Sequence, residues 1–300
     1  MFDLIIIGAG PAGITAAVYA ARKKMYCIVI TGDIGGQAAW SGDIENYTGY
    51  QFITGPDLVG KFEEHMRKYG IETREGEEAV EIKKEAGAVA VRTTKGAYEA
   101  KTAIIASGKK SRELGVPGEK EFKNHGLTYC ATCDGPLFAG KDVAVIGGGN
   151  SALDATLQLA RIARRIYLIT NAPGFTGDPI MLEKVRASSA VTSMVNTEVK
   201  EIIGGKMVTC IRVRKDGTEP TLPVQGIFVE VGLIPNAAFA PGIDKNEKGE
   251  IKINCRNETS VPGIFAAGDV TDVPEKQIII AAGEGAKAAL MAFRYLNQLK

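Results

Sequence analysis

The segment Asp3–Lys24 reads DLIIIGAGPAGITAAVYAARKK, which is a short apolar run, a glycine-rich turn and a helical pattern of apolar residues. A second segment, Asp142–Ala163, reads DVAVIGGGNSALDATLQLARIA and repeats this order. Another apolar run follows each segment, and the two runs end at Thr31 and Thr170. Both ends lie 23 residues after the first glycine of the turn (31 − 8 and 170 − 147). The chain therefore contains one β-α-β pattern twice.

The glycines of the first turn have different steric tasks. Gly8 permits a tight turn, Gly10 lets a pyrophosphate approach the backbone, and Gly13 allows the helix to pack closely on the strand. The amides and the dipole at the helix N-terminus then favour phosphate. In the second copy the same three roles fall to Gly147, Gly149 and Ala152. One such turn is a weak signal, but two copies in strand–turn–helix context predict two dinucleotide-binding sites.

The order of patterns along the chain predicts the domain organisation. A β-rich stretch, AVAVRTTKGAYEAKTAIIASG, lies between the two copies, and the tail begins GIFAAGDVTDVPEKQIIIAAG before a long apolar helix. We expect an α/β protein with two Rossmann-like, three-layer domains, the second inserted into the first. The first domain is predicted to comprise residues 1–112 and 246–300, and the second to comprise residues 113–245.

Composition limits the partners and the compartment. The 300 residues include 36 basic and 35 acidic side chains, for a net charge of +1, and contain no long basic run. Nucleic acid is therefore not an expected partner. No apolar run reaches the roughly 20 residues that span a bilayer, and the N-terminus lacks the features of a signal peptide. Five cysteines, an odd number, argue against a secreted disulfide framework and favour the cytoplasm.

The stretch Thr128–Phe138, TYCATCDGPLF, places two cysteines in a C-x-x-C pair followed by an acid. The other cysteines and histidines are scattered: Cys27, Cys210, Cys255, His65 and His125. Only His125 precedes the pair closely, and zinc usually needs four ligands, so we expect no metal. A structural disulfide that closes so small a loop would constrain the unfolded chain little. The remaining interpretation is a redox-active pair, Cys130–Cys133, with Asp134 exchanging a proton.

With these motifs assembled, the chain resembles the low-molecular-weight thioredoxin reductase family over essentially its whole length. The matching motifs are GAGPAG, GGQ at Gly35–Gln37, ENY at Glu45–Tyr47, CATCDG, GGGNSA, FAAGDV and KQIIIAAGEGAKAA. Some stretches, among them GGQAAWSGDIENY, are closer to a sister branch, the flavoprotein component of alkyl hydroperoxide reductase.

The resemblance implies FAD in the first domain, a nicotinamide nucleotide in the inserted domain, and a homodimer. It implies catalytic roles for Cys130, Cys133 and Asp134. The implied FAD residues are Gly8, Gly10, Pro11, Ala12, Gly13, Gly35, Gly36, Gln37, Asn46, Ala106, Gly108, Gly268, Asp269, Gln277 and Ile278. The implied nicotinamide nucleotide residues are Gly147, Gly149, Asn150, Ser151, Ala152, Thr170 and Asn171.

The chain departs from the family where the family's arginines bind an adenosine 2′-phosphate. That loop reads LITNAPGFTGDP here, and Thr170, Asn171, Ala172 and Thr176 stand at the positions of the pattern. The acid that would bind an unphosphorylated ribose is absent as well. Without a cation for the phosphate, we expect NADH rather than NADPH.

These observations predict a flavin-dependent disulfide reductase of the thioredoxin reductase type. Electrons would pass from a nicotinamide nucleotide through FAD and the Cys130–Cys133 disulfide to a thioredoxin- or glutaredoxin-like protein. Cys133 would face the flavin and Cys130 would attack the partner. One alternative keeps this chemistry with ferredoxin or a deazaflavin as the donor. Another, of a different class, is a non-catalytic FAD-binding redox sensor.

Overall fold

A computed structural model describes residues 1–41, 43–85 and 87–298 of the chain. They form two compact units, one of Met1–Lys110 with Ile234–Lys300 and one of Ser111–Leu233. The second boundary therefore lies at 233 rather than at the expected 245, and the first at 110 rather than 112. The reason for the larger shift is packing, because Ala237, Ala240 and Ile243 are buried in the apolar core of the first unit.

Among the described residues, the first unit contains nine strands and three α-helices. Its strands are β1 (Phe2–Ala9), β2 (Cys27–Ile34), β3 (Asp43–Ile44), β4 (Ile53–Thr54), β5 (Glu72–Glu75), β6 (Ala79–Glu85), β7 (Ala88–Thr93), β8 (Ala97–Ile105) and β19 (Ile264–Ala266). Its helices are α1 (Pro11–Arg22), α2 (Gly55–Arg67) and α7 (Ile278–Gln298). Two short strands at the boundaries between the units, β9 (Lys109–Ser111) and β18 (Leu233–Pro235), pair with each other.

The main sheet of the first unit has apolar residues on both faces. Strands β5, β2, β1, β8 and β19 run parallel, and β7 and β6 continue antiparallel from the first half of β8. Along β1, Leu4 and Ile6 pack towards α1 and α7, whereas Ile5 and Ile7 pack towards β6, β7 and the segment 237–251. This alternation follows from the two-residue period of a strand and produces three layers.

The second unit contains a smaller parallel sheet and an antiparallel one. Its strands are β10 (Leu127–Thr128), β11 (Asp142–Ile146), β12 (Arg165–Ile169), β13 (Val191–Met194), β14 (Glu198–Gly204), β15 (Val208–Arg214), β16 (Thr221–Pro223) and β17 (Gly226–Val229). Its helices are α3 (Glu119–Phe122), α4 (Ala131–Asp134), α5 (Asn150–Leu159) and α6 (Pro179–Ala187).

The parallel sheet of this unit has the order β10-β17-β11-β12-β13, and β14, β15 and β16 form the antiparallel sheet. On β11, Val143 and Val145 pack towards α5 and α6, while Ala144 and Ile146 pack towards β14 and β15. The unit is again three layers deep. The predicted α/β class with two parallel-sheet domains is confirmed. Within the described ranges, no helix combines the length and the apolar character that crossing a membrane requires.

Candidate functional site

The first glycine turn leaves free space at one of its three glycines. A Cβ placed on Gly8, whose φ is +102°, would lie 2.3 Å from the carbonyl oxygen of Ala106. A Cβ on Gly13 would lie 1.8 Å from the carbonyl oxygen of Gly8. At Gly10 the nearest atom would be the Gly35 oxygen, at 3.9 Å. The open position is the one expected to face a pyrophosphate.

The second glycine turn repeats this steric pattern. A Cβ on Gly147, whose φ is +148°, would lie 2.1 Å from the carbonyl oxygen of Glu230. At Gly149 no atom would lie within 4 Å. Ala152, in the third position, is buried. Both turns therefore form a cradle that a side chain would fill, which fits a dinucleotide at each.

The helices that follow the two turns begin without a side-chain cap. Gly10 precedes α1 and Gly149 precedes α5, and none of the described side chains caps either helix. By contrast, Thr54 accepts the Asp57 N–H at the start of α2, and Asp178 accepts two N–H groups at the start of α6. The first-turn N–H groups of α1 and α5 are therefore left for a ligand, and phosphate is the ligand that such amides favour.

Other glycines predicted for FAD lie against the start of α1. Gly35 and Gly36 have positive φ values of +95° and +53°, and a Cβ on Gly36 would lie 3.7 Å from the Gly10 Cα. Gly268, with φ +75°, approaches from the other end of the chain, where its Cβ would lie 3.0 Å from that of Ala12. Small residues thus bring three distant segments together at the first turn.

Gln37 connects two of the segments predicted for FAD. Its Nε2 donates a hydrogen bond to the carbonyl oxygen of Lys109 at 2.7 Å. Gly108, just before Lys109, has φ +61° and no atom within 4 Å of a Cβ position. Gln37 therefore holds the start of β9, and the backbone at Gly108 stays accessible.

Asn46 and Gln277 are 231 residues apart but meet in the first unit. The Nδ2 of Asn46 donates to the Oε1 of Gln277 at 3.1 Å. Ile278 begins α7 and packs against a small apolar cluster that includes Ile44 and Leu58. The structure thus places these three predicted FAD residues in one region, and their contacts with FAD stay a prediction.

Asp269 lies within a cluster of charges that the sequence analysis did not find. Burial raises the pKa of Asp269, against the opposing charges of Lys276 and Lys109. Both lysines contact Glu250, with Nζ–Oε1 distances of 2.9 Å for Lys109 and 3.3 Å for Lys276. Burial works against ionisation of Glu250, but hydrogen bonds from Lys109 and Asn246 hold its pKa at about 2. No local motif marks Glu250, because the two lysines that pair with it are distant in the sequence.

The loop after β12 folds back onto the second glycine turn. The Thr176 N–H donates to the carbonyl oxygen of Gly148 at 2.8 Å. The Asp178 N–H donates to the Oδ1 of Asn150 at 2.6 Å. Asn150, predicted as a nucleotide ligand, therefore also holds this loop, and its contact with the nucleotide stays a prediction.

Thr170 and Asn171, the two residues predicted to bind the ribose of the nicotinamide nucleotide, differ in exposure. Thr170 is buried, and its Oγ1 accepts the Ala172 N–H at 3.2 Å. Asn171 is exposed, as is Ser151 at the start of α5. Thr170 thus closes the local turn, and Asn171 is the accessible polar side chain.

Cys130 and Cys133 form a disulfide directly after β10, at the carboxyl edge of the parallel sheet. Cys130 precedes the single turn α4, and its Sγ accepts the Cys133 N–H at 3.1 Å. Cys133 is exposed and Cys130 is half-buried. Below the pair, Phe138 packs edge-on against Phe228, with ring centroids 5.2 Å apart, so that the turn is fixed on the core.

Asp134 is positioned by Thr128. The Thr128 hydroxyl donates to Oδ2 of Asp134 and also accepts the Cys130 N–H at 3.2 Å. The carboxyl group is therefore held beside the sulfur pair by a residue in the preceding strand. Proton exchange between Asp134 and a thiolate stays a prediction.

Comparison with known proteins identifies the family. Residues 2–285 match the family described as pyridine nucleotide-disulphide oxidoreductase. The chain belongs to this family. The oxidoreductase is 42% identical to a component of the alkyl hydroperoxide reductase of Staphylococcus aureus, over 98% of its own length and 59% of that protein. It is 41% identical to a Bacillus subtilis protein named NADH dehydrogenase, over 98% and 58% respectively. The chain thus spans less than two thirds of these two relatives.

Solved structures match the oxidoreductase over the whole chain. Thioredoxin reductase of Lactococcus lactis superposes with a TM-score of 0.95 at 33% identity, covering 99% of this chain and 100% of that one. Thioredoxin reductase of T. acidophilum gives 0.93 at 37% identity, covering 100% and 99%. The predicted family, fold and enzyme class are confirmed. Membership implies FAD and a nicotinamide nucleotide, which the two glycine turns fit.

The oxidoreductase has a half-buried acid beside the second glycine turn that sequence reasoning missed. Glu230 follows β17, and its N–H donates to the Ile146 carbonyl at 2.7 Å. Burial, with the charge of Asp154 on α5, raises the pKa of Glu230 to about 8. The signal was present in the sequence, since GIFVEVG places a carboxyl group at the end of an otherwise apolar strand.

Gln158 of the oxidoreductase joins α5 to the redox-active turn. Its Nε2 donates to Asp154 at 3.0 Å, and its Oε1 accepts the Thr132 hydroxyl at 2.7 Å. Because Thr132 lies between the two cysteines, the helix that follows the glycine turn also holds the disulfide. No spacing pattern in the sequence predicts the contact between Gln158 and Thr132.

Proposed function

We propose that the protein is a flavin-dependent disulfide reductase that passes electrons from NADH through FAD and the Cys130–Cys133 disulfide to a thioredoxin- or glutaredoxin-like protein. The observation that carries the proposal is the accessible disulfide at the sheet edge, with Asp134 held beside it by Thr128. A bond closing so short a loop adds little stability, so a chemical role explains it better than a structural one. The names of the similar solved structures support the same substrate class.

The sulfur chemistry follows from the geometry of the turn. When bound, FAD would supply a two-electron carrier between the nucleotide and the disulfide. Opening the Cys130–Cys133 bond consumes two electrons and two protons and leaves two thiols. The N–H of Cys133 then stabilises negative charge on the Cys130 sulfur, because it already donates to that atom at 3.1 Å. Cys130 is therefore proposed as the nucleophile.

The partner's disulfide would be reduced in two exchange steps. The Cys130 thiolate attacks one partner sulfur, forms a mixed disulfide and releases the other partner sulfur as a thiolate. The Cys133 thiolate then attacks the Cys130 sulfur, which releases the second partner thiolate and restores the disulfide. Asp134 gives a proton to a departing thiolate or accepts one from the attacking thiol. The oxidised pair and a reduced partner are the balanced products.

NADH is proposed as the donor because the loop after β12 carries no cation at the positions where the family's arginines stand. Thr170, Asn171, Ala172 and Thr176 occupy those positions. A relative named NADH dehydrogenase supports the same choice. Reduction of the bound flavin should be followed with NADH and with NADPH. If neither reduces it, the donor is of another kind, such as ferredoxin or a deazaflavin.

Single cysteine variants test the proposed roles. Cys133→Ser should trap a mixed disulfide between Cys130 and a thioredoxin-like partner, visible on a non-reducing gel. Cys130→Ser should leave the Cys133 thiolate beside oxidised FAD and give a long-wavelength absorbance. Cys255→Ser is the matched control, because Cys255 is exposed but free, and it should behave as the parent protein. The reverse behaviour of the first two variants would contradict the assignment.

Counting the thiols produced during turnover separates the enzyme from a redox sensor, which has no catalytic cycle. The reductase should reduce many equivalents of a thioredoxin-like protein for each flavin, whereas a sensor would stop after one. Assembly as a homodimer and a cytoplasmic location stay predictions. Light scattering of the purified flavoprotein tests the first of these.

A further inference from the structure

A cavity of about 370 Å³ opens in the second unit beside the loop that follows β12. Its lining residues are Asn171, Asn196, Glu198, Arg214, Asp216 and Gly217. Strands β12 and β13 are parallel neighbours, so the residues after them emerge at the same sheet edge. A hydrogen bond of 2.9 Å from the Asn196 N–H to the Ala172 oxygen holds the two loops together. The volume is at the small end of the ligand-site range of about 300–1,000 Å³, which suits part of a dinucleotide.

The cavity lies next to the position at which nucleotide-binding sheets bind the adenosine ribose. In a nucleotide-binding sheet, the side chain at the end of the second strand binds the adenosine ribose. Here that residue is Thr170, but it is buried and its Oγ1 already accepts the Ala172 N–H. A ribose above Gly149 would therefore meet the next accessible polar group, Asn171, and the cavity that Asn171 lines.

The charges of the cavity disfavour a phosphate. Among the described lining residues, Arg214 is the one cation, and Glu198 and Asp216 are carboxylates. Arg214 is already paired with Oε2 of Glu198, and Lys200 contacts the other oxygen at 3.2 Å. A 2′-phosphate would have to displace Glu198 from Arg214 and then face Asp216. A ribose diol carries no charge and can donate hydrogen bonds to a carboxylate.

We propose that this cavity holds the adenosine ribose of the nicotinamide nucleotide and that Glu198 selects the unphosphorylated form. Glu198 takes over, from the antiparallel sheet, the role that an acid at the end of β12 would have. Arg214 holds the carboxylate in place and is thereby withheld from phosphate. The inference rests on the proposed function, since it assumes a nicotinamide nucleotide at the second glycine turn.

Two mononucleotides isolate the adenosine end, because adenosine 5′-monophosphate and adenosine 2′,5′-bisphosphate differ only in the 2′-phosphate. Calorimetric binding to the full-length flavoprotein should show at least a tenfold preference for the monophosphate. Glu198→Gln should lower that preference by about 10- to 100-fold, since it removes a charged acceptor and frees Arg214. Adding Arg214→Leu to this variant should abolish the gained affinity for the bisphosphate.

The same sheet offers a matched control. Glu201 pairs with Arg212 at 2.6 Å, across the same two strands and with similar exposure, but outside the cavity lining. Glu201→Gln should leave the ratio of the two affinities unchanged. An equal effect of both variants, or no effect of Glu198→Gln, would overturn the role of Glu198 while flavin reduction by NADH could still stand. If the parent protein binds neither probe and NADH does not reduce the flavin, the nicotinamide donor and this inference both fail.

Discussion

Alanine at Gly13 should destabilise the fold, whereas alanine at Gly10 should weaken FAD binding and leave the fold intact. At Gly13 the new Cβ would lie 1.8 Å from the Gly8 carbonyl oxygen, and contacts below 3.0 Å do not occur, so the helix or the turn must move by at least 1.2 Å (3.0 − 1.8). Both atoms belong to a turn whose backbone is fixed by the strand and by α1. At Gly10 the nearest atom would be 3.9 Å away, and its φ of −76° suits alanine.

These geometries translate into different measurable losses. Gly13→Ala should destabilise the fold by more than about 4 kcal/mol, which is a large part of the stability of a typical domain. Gly10→Ala should change stability by less than about 1 kcal/mol. Its methyl group would occupy the space meant for the pyrophosphate, so that at least one amide–phosphate hydrogen bond is lost. FAD affinity should then fall at least tenfold.

The assay combines urea unfolding of the apoprotein with FAD titration of the same samples. Gly60→Ala serves as the control, because Gly60 lies within α2 and also has no atom within 4 Å of its Cβ position. It should raise helix stability by about 1 kcal/mol and leave FAD affinity unchanged. Wild-type FAD affinity in Gly10→Ala would refute a pyrophosphate at that glycine. Parent-like stability in Gly13→Ala would refute the close packing.

Glu230→Gln should remove a pH dependence of stability. Because burial and the Asp154 charge raise the pKa of Glu230 to about 8, the folded state keeps a proton that the unfolded state loses from about pH 4.3. Stability should therefore fall as pH rises through this window, and denaturant midpoints at several pH values should show a flatter profile in the variant. Glu119→Gln should cost about 1.5–3 kcal/mol in urea unfolding, since this buried carboxylate accepts two backbone N–H groups at 2.6 and 2.7 Å and a tyrosine hydroxyl; an unchanged midpoint would contradict it. Asp134→Asn should slow electron exchange between the cysteine pair and the flavin by roughly 100-fold in stopped-flow absorbance. Thr128→Val should slow it less, and equal rates in all three proteins would leave Asp134 a structural role.

Most of the fold could be predicted because the patterns that determine it lie within short stretches of the sequence. The glycine spacing, the apolar run from Leu4 to Ile7 and the helical period after each turn are all contained in short windows. The second domain boundary was misplaced because it depends on distant packing. Ala237, Ala240 and Ile243 lie before the expected boundary but are buried against strands from the first part of the chain.

One part of the candidate site lies within a single local motif, and another part does not. Cys130, Cys133 and Asp134 stand in one motif, and the structure places them together at a sheet edge. The ion pair between Glu198 and Arg214 connects residues that are neighbours only across β14 and β15. Such cross-strand neighbours depend on register, which no single strand specifies, so the sequence could not place a cation beside Asn171.

The two fingerprints share a departure that explains why the choice of nucleotide lies outside them. Thr31 and Thr170 stand at the ends of the corresponding strands, and both are buried. Oγ1 of Thr31 accepts the Ala9 N–H at 3.1 Å, and that of Thr170 accepts the Ala172 N–H at 3.2 Å. In each unit the threonine hydroxyl therefore accepts a hydrogen bond from the protein's own backbone, whereas an acid at this position would accept hydrogen bonds from a ribose. The duplicated pattern supplies space that fits a pyrophosphate, and we propose that ribose recognition comes from side chains elsewhere in each unit.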